Sequence, residues 1–155
     1  MAVFLFILLA ILLFWAFADK KMFRAYIPLT ITSIFVRFLE QFIVIDWLKF
    51  MHVCAEGEMK FWLPIFANLT VWPISGYLFI QYMPNRRRLL YALGWCGGLI
   101  LYLHMLKWSN VIKLTPDWYL YMSPLTVGLF FGTVYAVWRW LYPTASQGRR
   151  AAHEP

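Results

Sequence analysis

The chain has 155 residues, of which 63% are apolar, 21% aromatic and 14% charged, and its mean hydropathy is +0.64. A soluble domain carries about 45–50% apolar and about 25% charged residues because it must cover its core with polar surface, so this composition excludes one and predicts an all-α bundle of membrane helices. The formal net charge of +7 arises from short cationic clusters between apolar runs, without a basic face of interleaved aromatics, which marks membrane topology and no nucleic-acid partner.

The first apolar run, Ala2 to Ala18, is close to the shortest stretch that crosses a bilayer. Ala16-Phe17-Ala18 has the small-x-small form of a cleavage site. No Lys or Arg precedes the run, however, and Lys20, Lys21 and Arg24 follow it on the side that export would require. It is read as a retained span, with a four-span bundle as the alternative if it is removed. The second run, 23–45, has Pro28 near its start, where proline costs a helix little, and carries Arg37 and Glu40. The polar stretch Asp46–Lys60 reads as a loop. The third run, 61–82, holds Pro64 and Pro73, with a kink predicted at Pro73. Pro84-Asn85 and the Arg86–Arg88 cluster form a turn into the fourth run, 89–106, and the fifth covers 118–141. The domain therefore spans 1–142, followed by a short polar tail, 143–155, that reads as disordered and cytoplasmic. Cys54 lies in the loop and Cys96 deep in a span, so both are read as free thiols.

Orientation follows from the cations. Lys20, Lys21, Arg24, Arg86, Arg87, Arg88, Arg139, Arg149 and Arg150 fall on one side, against Lys49, Lys60, Lys107 and Lys113 on the other. The richer side is cytoplasmic, which places the N-terminus and the 46–60 loop outside and the C-terminus inside. Trp47, Trp62, Trp108, Trp118, Trp138 and Trp140 sit near run ends, as an aromatic belt requires.

Two GxxxG pairs, Gly94 with Gly98 and Gly128 with Gly132, the latter extended by Ala136, predict close packing. Lipid supplies little hydrophobic drive for helix association, so small residues that let backbones approach take over. The expectation is antiparallel packing of the fourth and fifth spans, groove to groove. A second copy of the chain, or another membrane protein, is the alternative occupant of these faces.

Thr30, Ser33, Arg37, Glu40 and Gln41 share one face of the second span at helical spacing. Arg37 and Glu40, at i and i+3, are spaced to pair. By the helical rise they lie roughly 12 and 8 Å below the outer edge, and Asn68, His104, Ser123 and Thr126 fall in the same layer. Two readings follow. Either the layer satisfies itself, with Arg37 held by Glu40, Asn68 and backbone carbonyls, or it is a pocket open to the outside that takes a small anion, a headgroup or a proton. No HExxH, CxxC, GxSxG, Walker A or facing histidine pair occurs, and His52, Cys54, Glu56 and Glu58 match no metal-ligand spacing. No cofactor or metal is expected. The function classes, in order, are a non-enzymatic accessory or interaction component of the cell membrane, a small transporter or sensor, and a membrane-embedded lipid-modifying enzyme.

Glu58 with Phe61, Trp62 and Pro64, then Asn68, Tyr82-Met83-Pro84, the run Lys107-Trp108-Ser109-Asn110-Val111-Ile112-Lys113 and Trp118-Tyr119 together resemble a family of small multi-pass membrane proteins from endospore-forming Gram-positive bacteria, of unassigned function. The likeness covers roughly the C-terminal two thirds, and the acidic residues that the family carries before the lysine of the fourth span are missing. It implies a plasma-membrane location and brings no catalytic residues.

Overall fold

A computed structural model describes residues 2–118 and 121–143. Five α-helices form a bundle: α1 (Ala2–Phe17), α2 (Phe23–Gln41), α3 (Met59–Gln81), α4 (Arg88–Trp108) and α5 (Met122–Leu141). The second run does not end as an α-helix. It widens at Phe42–Trp47 into π-helical turns. The helical segments Phe23–Trp47, Met59–Gln81 and Arg88–Trp108 are each long and apolar enough to cross a membrane.

The helix bounds follow the apolar runs within a few residues except at α5. That helix begins at Met122, four residues later than the pattern predicts. The Trp118 indole donates to Ser123 Oγ at 3.0 Å, and Pro124 falls in the first turn, where a missing N–H costs nothing. Nearly all of the predicted tail lies outside the described residues, as do Tyr119 and Leu120.

α3 is the central helix, packing on α1, α2 and α5. It buries Trp72, Tyr77, Phe79 and Ile80, all at most 2% exposed. Its core partners are Phe130, Phe131, Val127 and Val134 of α5 and Leu29 of α2. Trp72 meets Phe130 edge-on with ring centroids 5.0 Å apart.

At one end, polar groups tie the chain turns together. Gln81 Nε2 and Tyr82 OH donate to the Phe17 carbonyl at 2.9 and 2.7 Å. The Asp19 amide donates to Gln81 Oε1 at 2.9 Å, and Tyr77 OH to the Asp19 carbonyl at 2.7 Å. These bonds seat the end of α1 on α3. Tyr142 OH, just beyond α5, donates to the Ala25 carbonyl in the first turn of α2.

The opposite end carries a two-stranded antiparallel sheet, β1 (Met51–Val53) with β2 (Ile112–Leu114), where the sequence reading placed only loops. Met51 pairs with Leu114 and Val53 with Ile112. Met51 and Ile112 are buried while the intervening His52 and Lys113 are exposed, the alternation of a half-buried strand. The 46–60 segment is thus not simply a polar loop.

The glycine expectation is corrected. α4 and α5 do pack, but Gly94, Gly98, Gly128, Gly132 and Ala136 are exposed, and a Cβ added at any of the four glycines meets nothing within 4 Å. The reason is positional. Val127, Phe130, Phe131, Val134 and Trp138 form the buried stripe of α5, and Gly128 and Gly132 each follow a member of that stripe by one residue, about 100° around the helix. The bulky stripe offers far more dispersion contact and takes the interior. Trp95 of α4 meets Phe131 at 6.1 Å, and Arg88 donates to Tyr135 OH at 3.2 Å.

The close approach that does require a glycine lies between α2 and α3. A Cβ at Gly76 would stand 2.7 Å from Ser33 Oγ, and Ser33 is fully buried. Gly76→Ala is therefore expected to lower the thermal midpoint in detergent, by about 1–3 kcal/mol for an overpacked core. Adding Ser33→Ala, which removes the clashing oxygen, should restore most of the loss. Alanine at Gly94, Gly98, Gly128 or Gly132 should leave the midpoint of the monomer at or above that of the parent. Equal damage at all five positions would overturn this packing.

A candidate polar cavity beneath the strand pair

The face of α2 that carries Arg37, Glu40 and Gln41 turns inward toward α3 and α4, just below the β1–β2 sheet. Arg37 Nη1 and Glu40 Oε1 are 2.8 Å apart, with side chains 12% and 16% exposed. This is the one ion pair among the described residues. The Arg37 guanidinium also lies over the Trp72 indole, 3.9 Å from its centroid. Cation–π attraction of this kind strengthens when the groups leave water.

Asn68, 2% exposed, donates through Nδ2 to Gln41 Oε1. Asn68 thus holds Gln41, and the expectation that it holds Arg37 is corrected. Arg37 Nε has no hydrogen-bond partner. The other predicted members of the layer are near but separately satisfied. His104 Nδ1 is 2.9 Å from the Ile100 carbonyl on its own helix. Ser123 accepts from Trp118, and Thr126 Oγ1 donates to the Ser123 carbonyl at 3.2 Å. Thr126 shares a small cavity with Arg37 and Glu40, whereas His104 and Ser123 line an adjoining one. The seven residues therefore fall into two bonded pairs, Arg37–Glu40 and Gln41–Asn68, and three residues bonded elsewhere, of which Thr126 lines a cavity with the first pair.

Tyr102 of α4 completes the site, and the sequence reading missed it. It is 7% exposed, meets Phe6 edge-on at 5.0 Å, and its hydroxyl has no hydrogen-bond partner. The available signal was a tyrosine well inside a span, on the stripe Leu99, Tyr102, Leu103, Leu106, away from the belt where tyrosines usually sit.

Arg37, Gln41, Asn68 and Tyr102 line one cavity of about 50 Å³, roofed by Met51, Val53 and Ile112 of the two strands. At about 15 Å³ per water centre it has room for roughly three waters or one small polar group. Arg37 and Tyr102, whose Nε and Oη are buried and lack hydrogen-bond partners, are thus both lining residues of this cavity. A buried unpaired polar group costs about 1–3 kcal/mol, so each of these two side chains carries a local cost that a hydrogen-bond partner would relieve. Among the described residues no group of three or more His, Cys, Asp or Glu is placed to hold a metal ion.

A second, wider cavity of about 840 Å³ adjoins the first and shares Gln41, Ile45, Val53 and Pro64 with it. It lies between the end of the second helical segment and the start of α3, and its lining includes Lys49, His52 and Lys60 together with Phe38, Phe42 and Phe61. The chain matches no family model, no curated protein and no solved structure.

Removing one member of a buried ion pair strands the other, commonly at about 3–5 kcal/mol, while replacing both with apolar residues can be nearly neutral. Arg37→Leu and Glu40→Leu should each lower the thermal midpoint, Glu40→Leu by less because Trp72 still covers the guanidinium. The double variant should recover most of the loss. Two harmless single variants would show that neither charge depends on the other.

Proposed function

We propose that the chain is a multi-pass protein of the cell membrane with five spans, its N-terminus outside and its C-terminus in the cytoplasm. Three helices meet the length and apolarity of spans. α1, at 16 residues, covers about 24 Å, and its hydrogen bonds to Gln81 and Tyr82 support its place as a fourth. α5, with 20 residues packed on α2, α3 and α4, supports a fifth. The strand end bears Lys49, Lys60, Lys107 and Lys113, fewer cations than the opposite end, which favours placing it outside. The resemblance to membrane proteins of endospore-forming bacteria favours the plasma membrane.

Within that membrane we propose a non-enzymatic binding component, a sensor or accessory subunit whose cavity receives a small anionic group. The observation that carries this is that Arg37 and Tyr102, each with a buried polar atom that lacks a partner, line one cavity. Both can donate a hydrogen bond. Arg37 is neutralised by Glu40 as a charge yet keeps a free N–H, so an anion gains a charge-assisted bond there. A purely self-satisfied layer would have used those donors internally. The non-enzymatic reading rests on loops too short to hold a soluble active site. Carriage of the same group across the bilayer is the alternative, supported by the adjoining wide cavity.

Topology is checked with the native thiols. With Cys96→Ala, a membrane-impermeant maleimide should label Cys54 in intact cells. In a background of Cys54→Ala and Cys96→Ala, Arg87→Cys should label only after permeabilisation. The reverse pattern overturns the orientation.

Binding is checked by thermal shift of the pure protein in detergent with inorganic phosphate and with glycerol 3-phosphate. A ligand at about 100 times its Kd stabilises by about 2.7 kcal/mol, so a clear rise of the midpoint is expected. Tyr102→Phe, which removes one unpaired hydroxyl and keeps the ring, should leave the unliganded midpoint unchanged or higher and reduce the ligand-induced rise. If neither phosphate compound moves the parent protein, the binding reading fails.

A further inference from the structure

The wide cavity between α2 and α3 points to the class of molecule whose polar end reaches the inner cavity. At about 840 Å³ it falls within the range of about 300–1,000 Å³ that takes an organic ligand, far more than an inorganic ion needs. Its lining combines two chemistries. Phe38 of α2, Phe42 of the π turns and Phe61 and Ile65 of α3 supply apolar surface, and Lys49, His52 and Lys60 supply polar groups. Phe42 and Phe61 are 58% and 65% exposed, so the walls open sideways, toward lipid. Asp46 is the one acidic residue on the lining. Two lysines against one aspartate leave the lining with a surplus of one lysine charge, and neither lysine forms an ion pair among the described residues.

A soluble anion uses the lysines and leaves the apolar walls bare. A neutral lipid uses the walls and leaves the lysines unmatched. An anionic phospholipid uses both. Gln41, which lines both cavities, is held by Asn68 at the junction where a headgroup entering sideways meets the inner cavity.

We infer that the wide cavity takes an anionic outer-leaflet phospholipid, which enters between α2 and α3 with its phosphate at Lys49 and Lys60, its chains along Phe38, Phe42, Phe61 and Ile65, and the polar group beyond the phosphate directed past Gln41 toward the inner cavity. This rests on the binding reading above and names its ligand class. A lysine beside a membrane surface strengthens attraction to an anionic lipid by about fivefold.

The test is native mass spectrometry of the full chain in detergent with equal amounts of phosphatidylglycerol and phosphatidylcholine of the same chain length. Phosphatidylglycerol should be retained preferentially. Lys49→Asn, whose side chain tolerates the left-handed backbone found there (φ 55), and Lys60→Gln should each lower that retention about fivefold and leave phosphatidylcholine unchanged. Phe61→Asn should lower retention of both lipids. Equal retention of the two lipids by the parent, or phosphatidylglycerol retention unmoved by both lysine changes, overturns the inference. If inorganic phosphate still raises the thermal midpoint in that case, the lipid fails while the small-anion pocket stands. If neither phosphate nor phosphatidylglycerol binds, both fail together.

Discussion

Everything near the strand end of this bundle is arranged around one guanidinium held among apolar helices. An uncompensated arginine at depth in a membrane costs at least about 2.5 kcal/mol on insertion scales. Here three groups share the compensation. Glu40 supplies the opposite charge from one turn along α2, Trp72 supplies a π face from α3, and Phe130 of α5 backs that indole edge-on. The charge therefore joins three helices that apolar contact alone would leave freer to rotate. One donor, Nε, stays outside this arrangement, buried without a hydrogen-bond partner in a residue that lines a cavity. That surplus separates a neutralised charge from a satisfied one.

Bundles of apolar helices have weak reasons to choose one neighbour over another when lipid is as apolar as they are. This chain supplies specificity at both ends with backbone partners. At the turn end, carbonyls at Phe17, Asp19 and Ala25 are taken by side chains of α3 and by the tyrosine beyond α5. At the strand end, β1 and β2 are tied by the ladder and by the flanking bonds from Cys54 N to Val111 O at 2.8 Å and from Thr115 N to Phe50 O at 3.0 Å. The connection between α2 and α3 is thereby fixed to the connection between α4 and α5. The middle of the bundle is left to aromatic packing and to one tight contact, Ser33 on Gly76.

The legible part of this fold was what the helical period and the bilayer dictate. Helix positions followed from apolar runs, and the Arg37–Glu40 pair from its spacing. The illegible part depended on competition between faces. Gly128 and Gly132 fit a packing motif by spacing, yet the stripe one residue away carries Phe131 and Val127, and volume decided which face turned in. Asn68 was placed at the correct level, but whether its amide meets Arg37 or Gln41 turns on the rotation of α3, which no span pattern records. The strands escaped notice because three residues of alternation are too few to stand out beside a polar stretch. Tyr102 is not legible because an aromatic ring inside a span reads as core filling, whatever its hydroxyl does.

The change of winding at Phe42–Trp47 follows from what α2 must present on both sides of it. Arg37, Gln41 and Ile45 are spaced by four, and all three line the inner cavity. In an α-helix four residues overshoot a full turn, so each successive side chain drifts around the axis. The i→i+5 bonding of a π turn is wider, so four residues there fall short of a turn and the drift is reversed. Leu48 N donates to Ile43 O at 2.8 Å in that wider pattern. The helix then stops with Lys49 in the left-handed region and Phe50 N bonded back to Val44 O at 2.9 Å. That closing bond reaches one residue further back than the usual six-residue helix stop, as a widened last turn requires. The same winding that keeps Ile45 over the cavity thus delivers Lys49 to the lining of the wide cavity and starts β1 two residues later. A π turn is less favourable than the α-helix it replaces, and such turns concentrate at sites where side-chain aim matters more than local stability.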